Sequence, residues 1–292
     1  IGSNALTTNT TGAENTALGW KSLFANTTGT NNVALGFDSL RTNTTGIKNQ
    51  AMGQNALRLN TTGSGNTSIG YAALYSNTTA NDNVAMGKEA LYNNTTGAGN
   101  TSLGKDSMFD NTTGGDNVAV GKAALANNTT GGLNVAVGID SLKANTTGSG
   151  NVGIGREALR DNTTANYNTT VGISSLSANT TGSGNSALGQ SALKANTTGE
   201  NNTAVGNFSL TANTTGAGNT AVGTNAGQAI TTGINNTGVG IQSLRSCTTG
   251  KRNTGFGYYT GQLISTGEDN VAIGYAALHA NQTSDENVAI GY

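Results

Sequence analysis

The segment WKSLFANTTGTNNVALG, Trp20 to Gly36, decides the fold, because the whole chain consists of copies of it. A Gly equivalent to Gly36 recurs every 17 residues from Gly2 to Gly291, without an insertion or a deletion. The interval between these two Gly residues is 289 residues, which corresponds to seventeen repeats. A fixed period of this length is typical of a solenoid, in which each repeat forms one coil and packs on the next.

The positions of the repeat differ sharply in what they tolerate. The residue equivalent to Asn32, here named the strand Asn, is Asn in all seventeen repeats. Two residues later, the position of Ala34 is restricted to small residues, and the position of Leu35 is always apolar. The position of Leu23 runs on as Leu, with Met108 as a conservative exception. These restricted positions are candidates for the interior of the coil.

Charged residues show the opposite distribution. The 14 basic and 15 acidic side chains fall at six positions of the repeat: two after the closing Gly, two after Leu and two before the strand Asn. Burial of an unpaired charge is costly, so these six positions are expected to face water.

The segment that follows the strand Asn predicts a short β-strand. Apolar and small side chains alternate there, which is the two-residue period of a strand with one inward face. We expect Val33 and Leu35 to point into the coil and Ala34 to point outward. The Ala/Ser-Leu pair predicts a second short extended or one-turn segment, and N-T-T-G predicts a corner with an Asx-type bond and a Gly at positive φ.

Stacking of such coils predicts ladders of Asn side chains, because each amide can donate to one neighbour and accept from the other. The residue equivalent to Asn26, here named the corner Asn, is replaced only in three successive repeats near the end of the chain. Three adjacent replacements are what stacking predicts, and they place the single Cys between two Ile residues as a packed rather than a reactive thiol. The predicted ladder residues are Asn15, Asn32, Asn49, Asn66 and Asn83, with Asn26, Asn43, Ile230, Cys247 and Ile264 at the corner.

The composition excludes several classes of function. Only 10% of the residues are charged, the formal net charge is −1 and Pro is absent, so we predict no nucleic-acid partner. No apolar run is long enough to insert into a membrane. The single His279 lies at an exposed position, and acidic residues do not recur as calcium-binding repeats require, so we predict no enzyme activity, no cofactor and no metal site.

Aromatic residues accumulate directly after the closing Gly. An exposed row of rings could stack on sugar rings, or it could pack against a neighbouring coil or chain. The candidate glycan-stacking residues are Trp20, Phe37, Tyr258, Tyr275 and Tyr292.

The N-T-T corner supports two further readings. The corner Asn forms an N-glycosylation sequon in fourteen repeats, but the Ile replacements favour a buried ladder over a glycosylated surface. Rows of Thr also suggest ice binding as a function, which generally requires two rows of Thr that point outward. We expect the adjacent Thr10 and Thr11 to point to opposite sides, so this alternative ranks third.

At GAGNTAVG, Gly216 to Gly223, and GGDNVAVG, Gly114 to Gly121, the chain resembles the head repeats of YadA-like trimeric autotransporter adhesins and is similar to repeats of phage and viral tail fibres. The resemblance implies a left-handed parallel β-roll that assembles as a homotrimer and attaches to a host surface glycan or matrix. The small residues at the position of Ala34 would then allow neighbouring chains to approach closely.

We therefore predict an all-β, parallel β-solenoid or β-roll of about seventeen 17-residue coils, homotrimeric, with residues 1–292 forming a single array within a longer fibre. The predicted function is a structural and adhesive shaft, located extracellularly on a cell surface or virion. The alternatives are a self-polymerising filament subunit and an ice-binding solenoid.

Overall fold

The computed structural model describes residues 2–292 and confirms the all-β, parallel β-solenoid. Each repeat contributes one three-residue strand, and no helix occurs in the described chain. No segment of residues 2–292 is therefore a helix that could cross a membrane. The chain divides into two compact units, Ile1–Ser149 and Gly150–Tyr292, each of which is described by itself.

Within each unit, every strand pairs in parallel with the strand of the next repeat, so equivalent residues lie side by side. In the first pair, for example, Ala17 lies opposite Ala34. The strands of the first unit are β1 (Thr16–Leu18), β2 (Val33–Leu35), β3 (Gln50–Met52), β4 (Thr67–Ile69), β5 (Val84–Met86), β6 (Thr101–Leu103), β7 (Val118–Val120) and β8 (Val135–Val137). The strands of the second unit are β9 (Val152–Ile154), β10 (Thr169–Val171), β11 (Ser186–Leu188), β12 (Thr203–Val205), β13 (Thr220–Val222), β14 (Thr237–Val239), β15 (Thr254–Phe256), β16 (Val271–Ile273) and β17 (Val288–Ile290).

The predicted orientation of the strands is wrong. Ala34 and the equivalent small residues of β2 to β16 are buried, whereas the side chains on either side of them point outward; Leu18 and Leu188 are 48% and 50% exposed. The reason is the narrow interior of the coil. A Cβ on Gly255 would lie 3.1 Å from Leu244 Cγ, so the middle of the strand packs directly against the Leu of the opposite segment and only a small side chain fits.

Because the small residues fill the interior, they cannot mediate the close approach of neighbouring chains that the sequence suggested. The outward face of each strand consists instead of the residues that flank the small one. These two residues are named the flanking positions below, and Val33 and Leu35 are examples.

The segment that contains Leu23 is a turn rather than a second strand. Leu23 is fully buried and has a left-handed backbone conformation with φ of 50°. That conformation costs an L-residue about 1–2 kcal/mol, which burial of a Leu side chain, worth roughly 1.5–3 kcal/mol, can offset. β-branched residues tolerate it poorly, which explains why Val and Ile never occur at this position.

The two Gly types of the repeat have different roles. The closing Gly36 has φ of +133°, and a Cβ there would lie 2.6 Å from the carbonyl oxygen of Gly53. The corner Gly29 does not have the positive φ that was predicted. A Cβ at Gly29 would approach the carbonyl oxygen of Gly46 to 2.4 Å, so the corner requires a small residue rather than an unusual backbone angle, and Ala80, Ala165 and Ser284 replace it in three repeats.

Two coils of the second unit lack the conserved Leu, a break in the pattern that the sequence analysis overlooked. Gly227 and Gly261 replace it, each with φ near +55°, and both coils carry Ile instead of the corner Asn. A Cβ on Gly227 would lie 3.1 Å from Ile230 Cδ1, so the Ile side chain occupies the space that Leu fills elsewhere. Leu with Asn and Gly with Ile are therefore two alternative packings of the same core.

This exchange predicts strong coupling between the two positions. Gly227→Leu alone is expected to lower stability by about 1–3 kcal/mol through overpacking. Ile230→Asn alone leaves a cavity and is expected to cost a similar amount or more. The double variant restores the consensus pair and is expected to unfold near or above the wild-type temperature. Thermal unfolding followed by circular dichroism tests this, and additive losses in the double variant would contradict it.

Candidate functional site

The strand Asn forms the first predicted ladder, and the structure confirms it. Asn32 Oδ1 accepts hydrogen bonds from the backbone N–H of Asn49 at 3.0 Å, and Asn32 Nδ2 donates to Asn15 Oδ1 at 3.2 Å and to the carbonyl oxygen of Gly46 at 2.9 Å. One side chain thus connects a backbone donor and a backbone acceptor of the next coil. Asn32 and Asn49 are fully buried, so solvent cannot replace these bonds, which explains why this residue never varies.

The corner Asn forms the second ladder. Asn43 Nδ2 donates to Asn26 Oδ1 at 2.9 Å and to the carbonyl oxygen of Gly46 at 3.0 Å. The same pair of bonds recurs at Asn60, with distances of 2.7 and 2.9 Å. The bond within the repeat fixes the corner, and the bond between repeats fixes the stacking.

The apolar replacements interrupt the corner ladder as stacking predicts. Ile230, Cys247 and Ile264 are all buried. The ladder ends at Asn213, whose buried Oδ1 has no hydrogen-bond partner. Beyond the replacements, Asn281 Nδ2 contacts the strand ladder instead, at 3.4 Å from Asn270 Oδ1. Grouping the replacements in adjacent coils confines the unsatisfied acceptor to one place.

Cys247 is a packed thiol, as predicted. It is fully buried, and Sγ lies 3.8 Å from the carbonyl oxygen of Gly250. Burial disfavours the thiolate and raises the pKa of Cys247 to about 12.

We therefore expect Cys247 to resist iodoacetamide at pH 8 in the folded protein and to react once the protein is denatured, because the thiolate is the reactive form. A chain with Cys247→Ala and Thr249→Cys is the matched control, since Thr249 is exposed in the same coil. Mass spectrometry of the alkylated peptides measures the result. Equal labelling of both folded chains would contradict the buried position.

Most of the corner sequons are inaccessible in the folded chain. Twelve of the fourteen corner Asn residues that form sequons are fully buried, and their Nδ2 atoms are the ladder donors. A glycan attached to Nδ2 would remove a ladder donor and could not fit in the interior. The Asn residues of the two outer sequons, Asn9 and Asn281, are half-buried.

Folding and N-glycosylation of the buried corner Asn residues are therefore expected to exclude each other, whereas the exposed sequons at Asn127, Asn201 and Asn235 can carry glycans on the folded protein. Secretion of the chain from a eukaryotic cell should give glycosylated, protease-sensitive material, whereas addition of a glycosylation inhibitor should give protease-resistant protein. Limited proteolysis with mass determination distinguishes the two. A protein that carries glycans on the buried Asn residues and still resists protease would contradict the ladder.

The two Thr residues of the corner do not behave as predicted, because both reach the surface. Thr27 is half-buried and its hydroxyl donates to the carbonyl oxygen of Thr44 at 3.1 Å. Thr28 is exposed, and the equivalent residue is an exposed Thr in all seventeen repeats. Since the first hydroxyl is used within the solenoid, the corner offers one free Thr row, and ice binding stays an untested alternative.

The predicted glycan-stacking residues form stacks among themselves. The ring centroids of Trp20 and Phe37 are 4.7 Å apart, those of Tyr258 and Tyr275 are 5.6 Å apart, and those of Tyr275 and Tyr292 are 5.0 Å apart. All five rings are exposed. Because stacked rings turn their faces toward each other, they present mainly edges to solvent, and sugar stacking at these rings stays a prediction.

Polar contacts surround the second of these stacks. Tyr258 and Tyr259 pack edge to face with centroids 4.0 Å apart, and a hydrogen bond between their side chains raises the pKa of Tyr258. The sole His279 lies at the surface, with Nε2 at 2.6 Å from Gln262 Oε1. This exposed contact gives His279 no acid or base partner.

A further aromatic stack was missed in the sequence analysis. Tyr75, Tyr92 and Phe109 follow the Leu position in three successive repeats, with centroid distances of 5.0 and 5.2 Å. Burial between its neighbours raises the pKa of Tyr92. The recurrence of aromatic residues at 17-residue spacing was visible in the sequence and could have revealed this stack.

Ion pairs occur mainly between neighbouring repeats or adjacent residues at the surface. Arg252 forms two bonds to Asp269, from Nε at 2.6 Å and from Nη2 at 2.8 Å. These bonds lower the pKa of Asp269. Among residues 2–292, no three His, Cys, Asp or Glu side chains converge in a geometry that could hold a metal ion.

Asp38 is the exception to the rule that charged residues face water. It is 3% exposed, and its Oδ2 accepts from Arg41 Nη1 at 3.2 Å and from Arg58 Nε at 3.1 Å. Its Oδ1 is buried without a partner. Only the spacing of its members along the chain could have indicated this cluster.

No family model matches the chain, and no curated protein matches it significantly.

Proposed function

We propose that this chain is a structural and adhesive shaft segment of an extracellular or virion fibre, which assembles laterally as a homotrimer. The observation that carries the proposal is the outward face of the strands. In each unit the flanking positions form two parallel rows of exposed or half-buried side chains, mostly aliphatic or Thr. No charged residue occurs at either flanking position in any repeat.

Such a face favours self-association. Monomeric proteins rarely expose a contiguous apolar surface larger than a few hundred Å², and larger ones mark interfaces. Leu18, Met86 and Phe256 are 48%, 41% and 52% exposed on this face. The face is regular along each unit, so a second and a third copy of the same chain can offer matching rows in the same register.

The stacking of coils supports an extending role. Each added repeat is held by backbone hydrogen bonds and by the strand-Asn ladder to the repeat before it, with no dependence on distant parts of the chain. Repeats of this kind lengthen a structure without changing its cross-section. The resemblance to YadA-like head repeats and tail-fibre repeats points to the same role and to attachment at a host surface.

The lateral assembly is tested by light scattering at several concentrations. We expect a constant mass near three chains. Val205→Lys with Val222→Lys places two charges on the outward face of β12 and β13 and is expected to give monomers, because burial of unpaired charge is costly. Ala195→Lys with Ala212→Lys is the matched control, since it adds the same charge to the same repeats away from that face.

A stable wild-type monomer would contradict the homotrimer. A mass that rises continuously with concentration would favour the self-polymerising filament instead. Equal dissociation of the control variant would show that added charge, rather than the strand face, decides the assembly.

A further inference from the structure

We infer that the surface around Asp38 binds an acidic polysaccharide, carboxylated or sulfated. The inference rests on the proposed attachment function and names the ligand class of one site. The site, here named the basic–aromatic patch, consists of Lys21, Asp38, Arg41, Arg58 and Tyr75, with the stacked rings that flank them.

The charge of the patch is unbalanced. Several cations elsewhere in the first unit have a carboxylate of their own; Lys105 lies 3.5 Å from Asp106, and Lys143 lies 3.0 Å from Asp140. In the patch, Arg41 and Arg58 share the single carboxylate of Asp38, and Lys21 lies against the rings of Trp20 and Phe24, so three cations face one carboxylate. Two positive charges therefore remain for an anionic ligand.

The buried carboxylate holds the cations in place. The Asp38 side chain is 5% exposed, and one of its oxygens binds both guanidinium groups, whose side chains are 30% and 26% exposed. Neither guanidinium uses all of its N–H groups in these bonds, so each retains donors. A guanidinium that is fixed before binding loses little entropy when it binds a carboxylate or sulfate, which favours affinity.

The rings extend the patch along the direction of stacking. Arg58 Cζ lies 5.6 Å from the ring centroid of Tyr75, and its Nη1 donates to the Tyr75 hydroxyl. Lys21 Nζ lies 4.2 Å from the ring centroid of Trp20. Cations thus occur in three successive coils, with rings at both ends of the patch, and a linear polymer lying along the coils would meet them in succession.

The same geometry disfavours nucleic acid. Base stacking needs free ring faces, whereas the faces of Tyr75 and Tyr92 are stacked on each other with centroids 5.0 Å apart. Two surplus cations would also neutralise few phosphates. Ring edges, hydroxyls and guanidinium N–H groups suit the hydroxyl, carboxylate and sulfate groups of an acidic polysaccharide.

The test is titration of the full chain with heparin, polygalacturonate and neutral dextran. We expect one or both acidic polymers to bind, more weakly as the salt concentration rises, and dextran not to bind. Binding of heparin alone would identify sulfate as the recognised group, and binding of polygalacturonate alone would identify carboxylate. Arg41→Gln with Arg58→Gln is expected to weaken binding at least about tenfold, because it removes charge-assisted hydrogen bonds. Lys122→Gln with Lys194→Gln, which removes the same charge elsewhere, is the matched control and should bind as the wild type does.

Loss of Arg41 and Arg58 leaves Asp38 unpaired, so two further variants separate binding from folding. Lys21→Gln leaves the Asp38 contacts intact and is expected to weaken binding. Asp38→Asn keeps all three cations but releases the two guanidinium groups that the carboxylate fixes, so it is expected to weaken binding by less than the arginine pair does; an equal loss would contradict the assignment of binding to the cations. Circular dichroism checks that each variant is folded.

The inference is wrong if neither acidic polymer binds, if the control pair loses as much affinity as the arginine pair, or if single-stranded DNA binds more tightly than both polysaccharides. These outcomes are independent of the assembly measurement. A trimer that does not bind acidic polymers would contradict the polysaccharide site but not the proposed shaft. A monomer that binds them would contradict the proposed trimer but not the site.

Discussion

The strand Asn is the interaction on which the rest of the structure depends. Its side chain forms hydrogen bonds with a backbone N–H and a backbone carbonyl of the neighbouring coil, as Asn32 does with Asn49 and Gly46. These groups lie where the strand meets the corner and cannot be reached by water or by strand pairing. An unsatisfied buried polar group costs about 1–3 kcal/mol, and a loss at each coil would accumulate along the array. The strict 17-residue period follows, since an insertion would displace this Asn from its partners.

A narrow interior is the second constraint. The core of most coils is one Leu, two small residues and two Asn side chains, as in Leu23, Ser22, Ala34, Asn26 and Asn32. With so little apolar volume, changes at one position must be balanced at another. The exchange of Leu and Asn for Gly and Ile at Gly227 and Ile230 is such a balance. It leaves one buried oxygen of Asn213 unsatisfied, which is the cost of ending the corner ladder.

Because the interior accepts only small strand residues, the larger apolar residues of the strands lie outside. The proposed assembly therefore depends on a residue that never reaches the interface: Ala34 fills the core, and this places Val33 and Leu35 on the surface. The variable positions face other directions and can carry different side chains in different repeats. A solenoid of uniform core can thus bear local features such as the cluster around Asp38 without a change in its backbone.

The sequence by itself determined the repeat, the parallel stacking, both Asn ladders and the packed state of Cys247. The reason is that residues 17 positions apart become direct neighbours when coils of 17 residues stack on each other. It could not determine the direction of the strand side chains, because alternation identifies two faces without saying which is inside. It also missed the burial of Asp38, which depends on Arg41 and Arg58 in the same and the next repeat. Only the tertiary structure decided these points, since the width of the interior and the meeting of side chains from different coils arise from packing in three dimensions.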